Sequence, residues 1–154
     1  MPETTTKDVA PAFTAAIAQL AELVPAPIAP VVQDFARLYL RRVHDGPLTK
    51  LDAGELANHI YGIFQFAGDR GLNPIAVRVF NPTLERDGYS SQGTVVEIST
   101  EDRPFLVDSV TGEIQSHGPA VTHVVHPVIG TVRDMSTATI IDTKMTTCSR
   151  TDSP

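Results

Sequence analysis

The sequence predicts an α+β fold, with about three helices in its first half and a partial βαβ unit plus one further strand in its second. Three observations predict it. Apolar residues recur with helical spacing as far as Ala67, short β-branched runs bounded by turn formers take over beyond Pro74, and 154 residues with 42% hydrophobic side chains suffice for one modest domain.

In residues 11–24, Phe13, Ile17, Leu20 and Val24 fall at i, i+4, i+7 and i+11 and line one side of a helix. Pro25 and Pro27 end it. Pro30 suits the first turn of a second helix, where its missing N–H is not needed, and Val32, Ala36, Tyr39 and Val43 repeat the spacing. Arg41 and Arg42 complement the C-terminal end of its dipole, and Gly46 and Pro47 stop it. Asp52 and Glu55 form an acidic capping box for a third helix, whose buried face is Leu56, Ile60, Ile63, Phe64 and Ala67. None of the helices carries sustained heptads, so residues 9–72 read as a helical lead-in that packs on itself or on the sheet that follows.

Residues 76–80 (AVRVF) and 94–99 (TVVEIS) read as strands separated by a stretch rich in turn formers. Asp102 is then placed to cap a helix entered through Pro104, with Leu106, Val110 and Ile114 on one face and a stop at Gly118 and Pro119. The run AVTHVVHPVIGTV at 120–132 is β-branched again, so 94–132 is expected to form a right-handed βαβ unit within one mixed or antiparallel sheet. Pro127 restricts its second strand to an edge or a bulge, and residues 137–143 (TATIIDT) supply a strand running between the two. Residues 73–143 are thus expected to be an incomplete αβ domain, with disordered ends at 1–8 and 144–154.

Composition excludes several functions. A formal charge of −6, from 12 basic and 18 acidic residues with no basic block, offers little to nucleic acid or anionic lipid. The polar opening MPETTTK has no apolar region behind it, and prolines break the stretch 23–32, so neither a signal peptide nor a membrane span is expected. The lone Cys148 fits a reducing cytoplasm and supplies one ligand of the four that a thiolate zinc site needs.

Chemistry-bearing residues do not converge. His123 and His126 are an odd number of positions apart on a predicted strand, which puts them on opposite faces and away from a shared metal ion. His44, His59 and His117 take structural roles by default. Ser109 and Asp108 lie in a predicted helix without the glycine flanks of a nucleophile elbow, and neither the phosphate-loop nor the dinucleotide glycine pattern is present. No catalytic, cofactor-binding or metal-ligating residue is therefore assigned. The turn EDRPF at 101–105 admits two readings. Helix N-terminal N–H groups with Arg103 would meet a small carboxylate ligand, or Asp102 simply caps the helix.

The stretch TVVEISTEDRPFLVDSVTGEIQSHG followed by VTHVVHPVIGTVRD resembles the first ACT-type domain of the large bacterial NAD-dependent glutamate dehydrogenases, and FARLYLRRV and VRVFNPTLERDGY extend the resemblance upstream. It spans residues 35–134 and stops at Asp134. The Ser/Thr-rich stretch beyond reads as a truncated gene product. The resemblance implies a longer parent that oxidatively deaminates L-glutamate to 2-oxoglutarate with NAD, its catalytic lysine, aspartate and Rossmann glycines lying elsewhere, so that this chain alone is inactive and holds no cofactor. It also implies a ferredoxin-like βαββαβ pattern, here cut to the first βαβ and a third strand, with 94–99 and 120–132 sharing a sheet.

Amino-acid-binding ACT domains resemble Asp-Arg-Pro-Gly at the turn. Here Phe105 takes the glycine place beside Asp102 and Arg103, and its ring crowds an approaching ligand. The implied role is a non-catalytic N-terminal regulatory or assembly segment that pairs with the dehydrogenase catalytic region or with a second copy. The alternative is a free-standing ACT-like module that dimerises and senses an amino acid effector. On the first reading Val95, Ile98, Leu106 and Val110 lack full cover, and the isolated chain is expected to self-associate or to be marginally stable.

Overall fold

The structure is a computed structural model that describes residues 10–134, 136 and 139–145. Three long helices come first: α1 (Ala10–Leu23), α2 (Ala29–Leu40) and α3 (Ala53–Asp69). Short 3-10 turns at Ala26–Ile28 and Pro47–Lys50 link them. Then follow β1 (Ile75–Phe80), a one-turn helix α4 (Leu84–Asp87), β2 (Val95–Thr100), α5 (Leu106–Ser116), β3 (Ile129–Arg133) and β4 (Ile140–Met145).

The helices form as their spacing dictates. Leu20 of α1, Val32 and Ala36 of α2 and Leu56 and Ile60 of α3 are almost wholly shielded from solvent, and with Phe35, Tyr39 and Phe64 they make the core. Phe35 meets Phe64 edge-on with ring centroids 5.4 Å apart, a preferred aromatic geometry that locks α2 to α3. The capping box at α3 is complete: Glu55 N–H donates to Asp52 Oδ1 at 2.8 Å and Asp52 N–H to Glu55 Oε2 at 3.1 Å.

The strands form two separate antiparallel hairpins. In one, β1 pairs with β2 in a register that sets Val77 opposite Ile98, Arg78 opposite Glu97 and Val79 opposite Val96. Alternation turns Arg78 and Phe80 toward α3 and leaves Ile75, Val77 and Val79 outward, at 52%, 57% and 63% exposure. In the other, β3 pairs with β4 through a turn closed by Asp134 N–H to Thr139 O at 2.9 Å, with a register shift at Val132 and Arg133. This hairpin lies against α2 and inserts Ile140 into the helical core.

The α+β class therefore holds, with antiparallel sheets, but the expected βαβ crossover does not form. β2 and β3 share no sheet, residues 119–128 have no ladder, and β4 pairs with β3 alone rather than running between β2 and β3. The reason is local. Each strand has an antiparallel neighbour nearer in sequence, so hairpin closure costs less chain entropy than a crossover, and Pro127 removes a donor from the interior of the strand expected at 120–132.

The predicted cap at Asp102 is also overturned. Helix α5 starts at Leu106, beyond Pro104, and its N-terminal flank is Phe105 at φ 61°, without a side-chain capping bond. Residues 144 and 145, assigned to a disordered tail, belong to β4, while 1–8, 146–154 and positions 137 and 138 of the predicted strand fall outside the described residues.

Candidate functional site

The turn singled out in the sequence is a surface feature. Residues 101–105 are exposed throughout, and Asp102 Oδ1 stands 4.0 Å from His126 Nε2. None of Asp102, Arg103 and Phe105 is among the residues bordering the cleft beside α3. His123 instead lies over Gly46, where an added Cβ would sit 2.5 Å from the ring, which makes His123 a packing residue. Ser109 lies inside α5 as expected, and among the described residues no group of His, Cys, Asp and Glu is placed to hold a metal ion.

A polar cluster gathers elsewhere, between α3 and the inward face of β1 and β2. Nε and Nη2 of Arg78 donate to Oε2 of Glu97 at 3.1 and 2.7 Å, and the guanidinium lies 4.1 Å from the Phe80 ring centroid and 5.3 Å from that of Phe66. Behind this pair, the Tyr39 hydroxyl and His59 Nε2 share a hydrogen bond of 3.0 Å, and His59 meets Tyr89 edge-on at 4.9 Å. Asn58 closes the arrangement. Its side chain packs against Gly88, where any Cβ would lie 2.5 Å from it and where φ is 75°, so glycine lets the chain turn from α4 into Tyr89.

Burial dominates the electrostatics. It lowers His59 to a pKa of about 4, helped by the Arg78 charge, so the imidazole is neutral at pH 7. It raises Tyr39 and Tyr89, with the Glu97 carboxylate adding to both, so the phenols keep their protons. It raises Glu97 as well, against the lowering hydrogen bond from Arg78. Glu97 Oε1, Tyr89 Oη and His59 Nδ1 are buried without protein partners. An open cleft of about 1130 Å³ runs beside the cluster, bordered by Ile28, Asn58, Tyr61, Arg78, Tyr89 and Ile140. Burial holds His59, Tyr39 and Tyr89 in their neutral forms, which suits holding a hairpin on a helix.

Sequence reasoning treated His59 as structural, which the burial supports, and passed over Arg78, Tyr89 and Glu97 as site residues. A signal was available: VRVF and VVEIS each carry one opposite charge in the middle of a β-branched run, as a cross-strand pair requires.

Comparison with known proteins places these features in a family. The description "Glutamate dehydrogenase, ACT1 domain" matches residues 35–152, well over half of the chain. The chain belongs to that family. The NAD-specific glutamate dehydrogenase of Halomonas elongata is 31% identical over 103 residues, covering 67% of this chain and 6% of that protein. The NAD-specific glutamate dehydrogenase of Pseudomonas aeruginosa is 47% identical over 45 residues, covering 29% of this chain and 3% of that protein. The chain thus spans a small fraction of the length of these relatives. No solved structure matches it.

Two expectations change with this result. The ACT1 match continues past Asp134 to residue 152, so the Ser/Thr-rich stretch lies within the family's span and the kinship does not break there. Membership also stands although β2 and β3 do not share the sheet that the resemblance implied. Among the described residues no helix is long and apolar enough to cross a membrane.

Proposed function

We propose that this ACT1 chain is a non-catalytic N-terminal assembly and regulatory segment of a cytoplasmic NAD-dependent glutamate dehydrogenase. The oxidation of L-glutamate to 2-oxoglutarate and ammonia, with NAD as acceptor, then belongs to the remainder of that longer enzyme. One observation carries the reading: β1 pairs only with β2 and β3 only with β4 among the described residues, so each strand offers an open edge to a further strand. Sister domains of the dehydrogenase or a second copy of the chain are the partners this geometry fits.

The test is reconstitution. A NAD-specific glutamate dehydrogenase lacking the matching segment is co-expressed with this chain and the mixture is sized by chromatography and assayed for NADH. Co-elution, with no NADH formed by the chain alone, is the expected result. NADH formation by the isolated chain, or a shortened dehydrogenase that assembles and responds normally while the chain stays apart, overturns the proposal. Calorimetric titration with the common amino acids addresses the effector. Saturable heat lost in Arg103→Ala would replace this reading with the free-standing sensor, and absence of heat supports assembly.

A further inference from the structure

The polar cluster between α3 and the β1–β2 hairpin has hydrogen-bonding capacity to spare. Of the five buried side-chain atoms without a protein partner among the described residues, three belong to it: Nδ1 of His59, Oη of Tyr89 and Oε1 of Glu97. These residues are 6%, 5% and 8% exposed, so bulk water does not satisfy them, and interior polar atoms are seldom left unpaired. They come from α3, the segment after α4 and β2, yet the rings of His59 and Tyr89 meet edge-on at 4.9 Å and the Glu97 charge acts on Tyr89.

The hydrogens decide what fits there. Among the described residues the Tyr39 hydroxyl has His59 Nε2 as its one hydrogen-bond partner, at 3.0 Å, so its hydrogen goes to that nitrogen. The neutral imidazole then carries its own hydrogen on Nδ1, which makes Nδ1 a donor. Tyr89 keeps its phenolic hydrogen and is a second donor. Glu97 takes both Arg78 bonds on Oε2 and leaves Oε1 as an acceptor. Two donors and one carboxylate acceptor, none bonded to another, call for a group that accepts two hydrogen bonds and donates one.

We propose that His59, Tyr89 and Glu97 bind one neutral hydroxyl oxygen, and that a water molecule entering from the adjoining cleft fills the site. An anion would face the Glu97 carboxylate, and an ammonium has no lone pair for the two donors, so charge and lone-pair count exclude both. Water meets both demands, and three partners is the usual number for a buried one. A route is present, because Tyr89 and Arg78 themselves border the cleft of about 1130 Å³. Through this oxygen Glu97 of the hairpin is tied to His59 of α3 without a direct bond, a link independent of the strand edges on which assembly rests.

A high-resolution crystal structure of the full chain, grown without alcohols or polyols, tests the site directly. A single spherical density peak within about 3.2 Å of Nδ1, Oη and Oε1 is expected. A direct bond among the three side chains, or no peak between them, overturns the proposal. In solution, a rotating-frame Overhauser cross-peak between water and the His59 Nδ1 hydrogen is expected, and a hydrogen found on Nε2 instead overturns it. Tyr89→Phe keeps the ring against His59 and removes one of the three bonds. Oxygen-17 relaxation dispersion should then show the water leaving about tenfold faster, the weight of one ordinary hydrogen bond, and an unchanged residence time counts against the site.

Discussion

Arg78 and Glu97 stand opposite each other in the β1–β2 ladder, and Nη2 of the arginine donates to Oε2 of the glutamate at 2.7 Å. Glu97 is buried while Arg78 keeps 38% of its side chain exposed, so the two partners are not equivalent. Removing the arginine strands a buried carboxylate, whereas neutralising the glutamate leaves a cation that water can still reach. Arg78→Met is therefore expected to cost about 2 kcal/mol of stability and Glu97→Gln about half of that. Urea unfolding followed by circular dichroism measures both, and equal losses would contradict the asymmetry.

The neutral imidazole of His59 makes acid a destabilising condition. Its folded pKa of about 4 lies below the ordinary value of 6.5, so the unfolded chain takes up the proton first as the pH drops. The stabilisation is complete above pH 6.5, falls as the pH drops toward 4, and amounts to a loss on the order of 3 kcal/mol across that window. Glu97 acts in the opposite sense. Its folded pKa is raised, so protonating it at low pH relieves a burial penalty and offsets part of the loss. Melting temperature against pH should fall from 6.5 to 4 in the native chain and flatten in His59→Gln.

Phe105 sits at φ 61° with an exposed ring, so glycine there removes strain and forfeits little packing. Phe105→Gly is expected to raise stability by about 1 kcal/mol, less the extra freedom that glycine brings to the unfolded chain. A chemical denaturation midpoint that moves down would show that the ring holds contacts the structure does not contain.

Asp52→Ala removes the bond from Glu55 N–H to Asp52 Oδ1 and leaves only the backbone bond from residue 52 to Glu55 Oε2. A loss of about 1 kcal/mol is expected, and Asp52→Asn should recover most of it because the side-chain oxygen is retained. Thermal melts of the two variants separate capping from the general effect of removing a charge.

The helices were legible because each signal was local: a repeat such as Leu56, Ile60 and Phe64, with Asp52 and Glu55 at its start, specifies a helix and its buried face within a few turns. The two strands of the first hairpin were legible for the same reason. Pairing was not. The run 120–132 has strand composition along its whole length, yet the ladder begins only at Ile129, because partner choice depends on competing hairpins rather than on residue type. The turn at Asp102 looked like a cap, but Pro104 and the left-handed Phe105 delay the helix to Leu106. The polar cluster escaped notice because Tyr39, His59 and Tyr89 come from three distant segments that converge only after folding.

Ile140 is, among the described residues, the strand residue buried in the cluster of the three long helices, and it reaches it from β4, far along the chain from Val32 and Leu56. During synthesis α1, α2 and α3 emerge well before it, with the patch it will cover still wet. The helical part must wait, loosely assembled and prone to wrong company, until the last hairpin arrives to seal it. Damage to that late hairpin would thus be felt first as solubility in the growing chain.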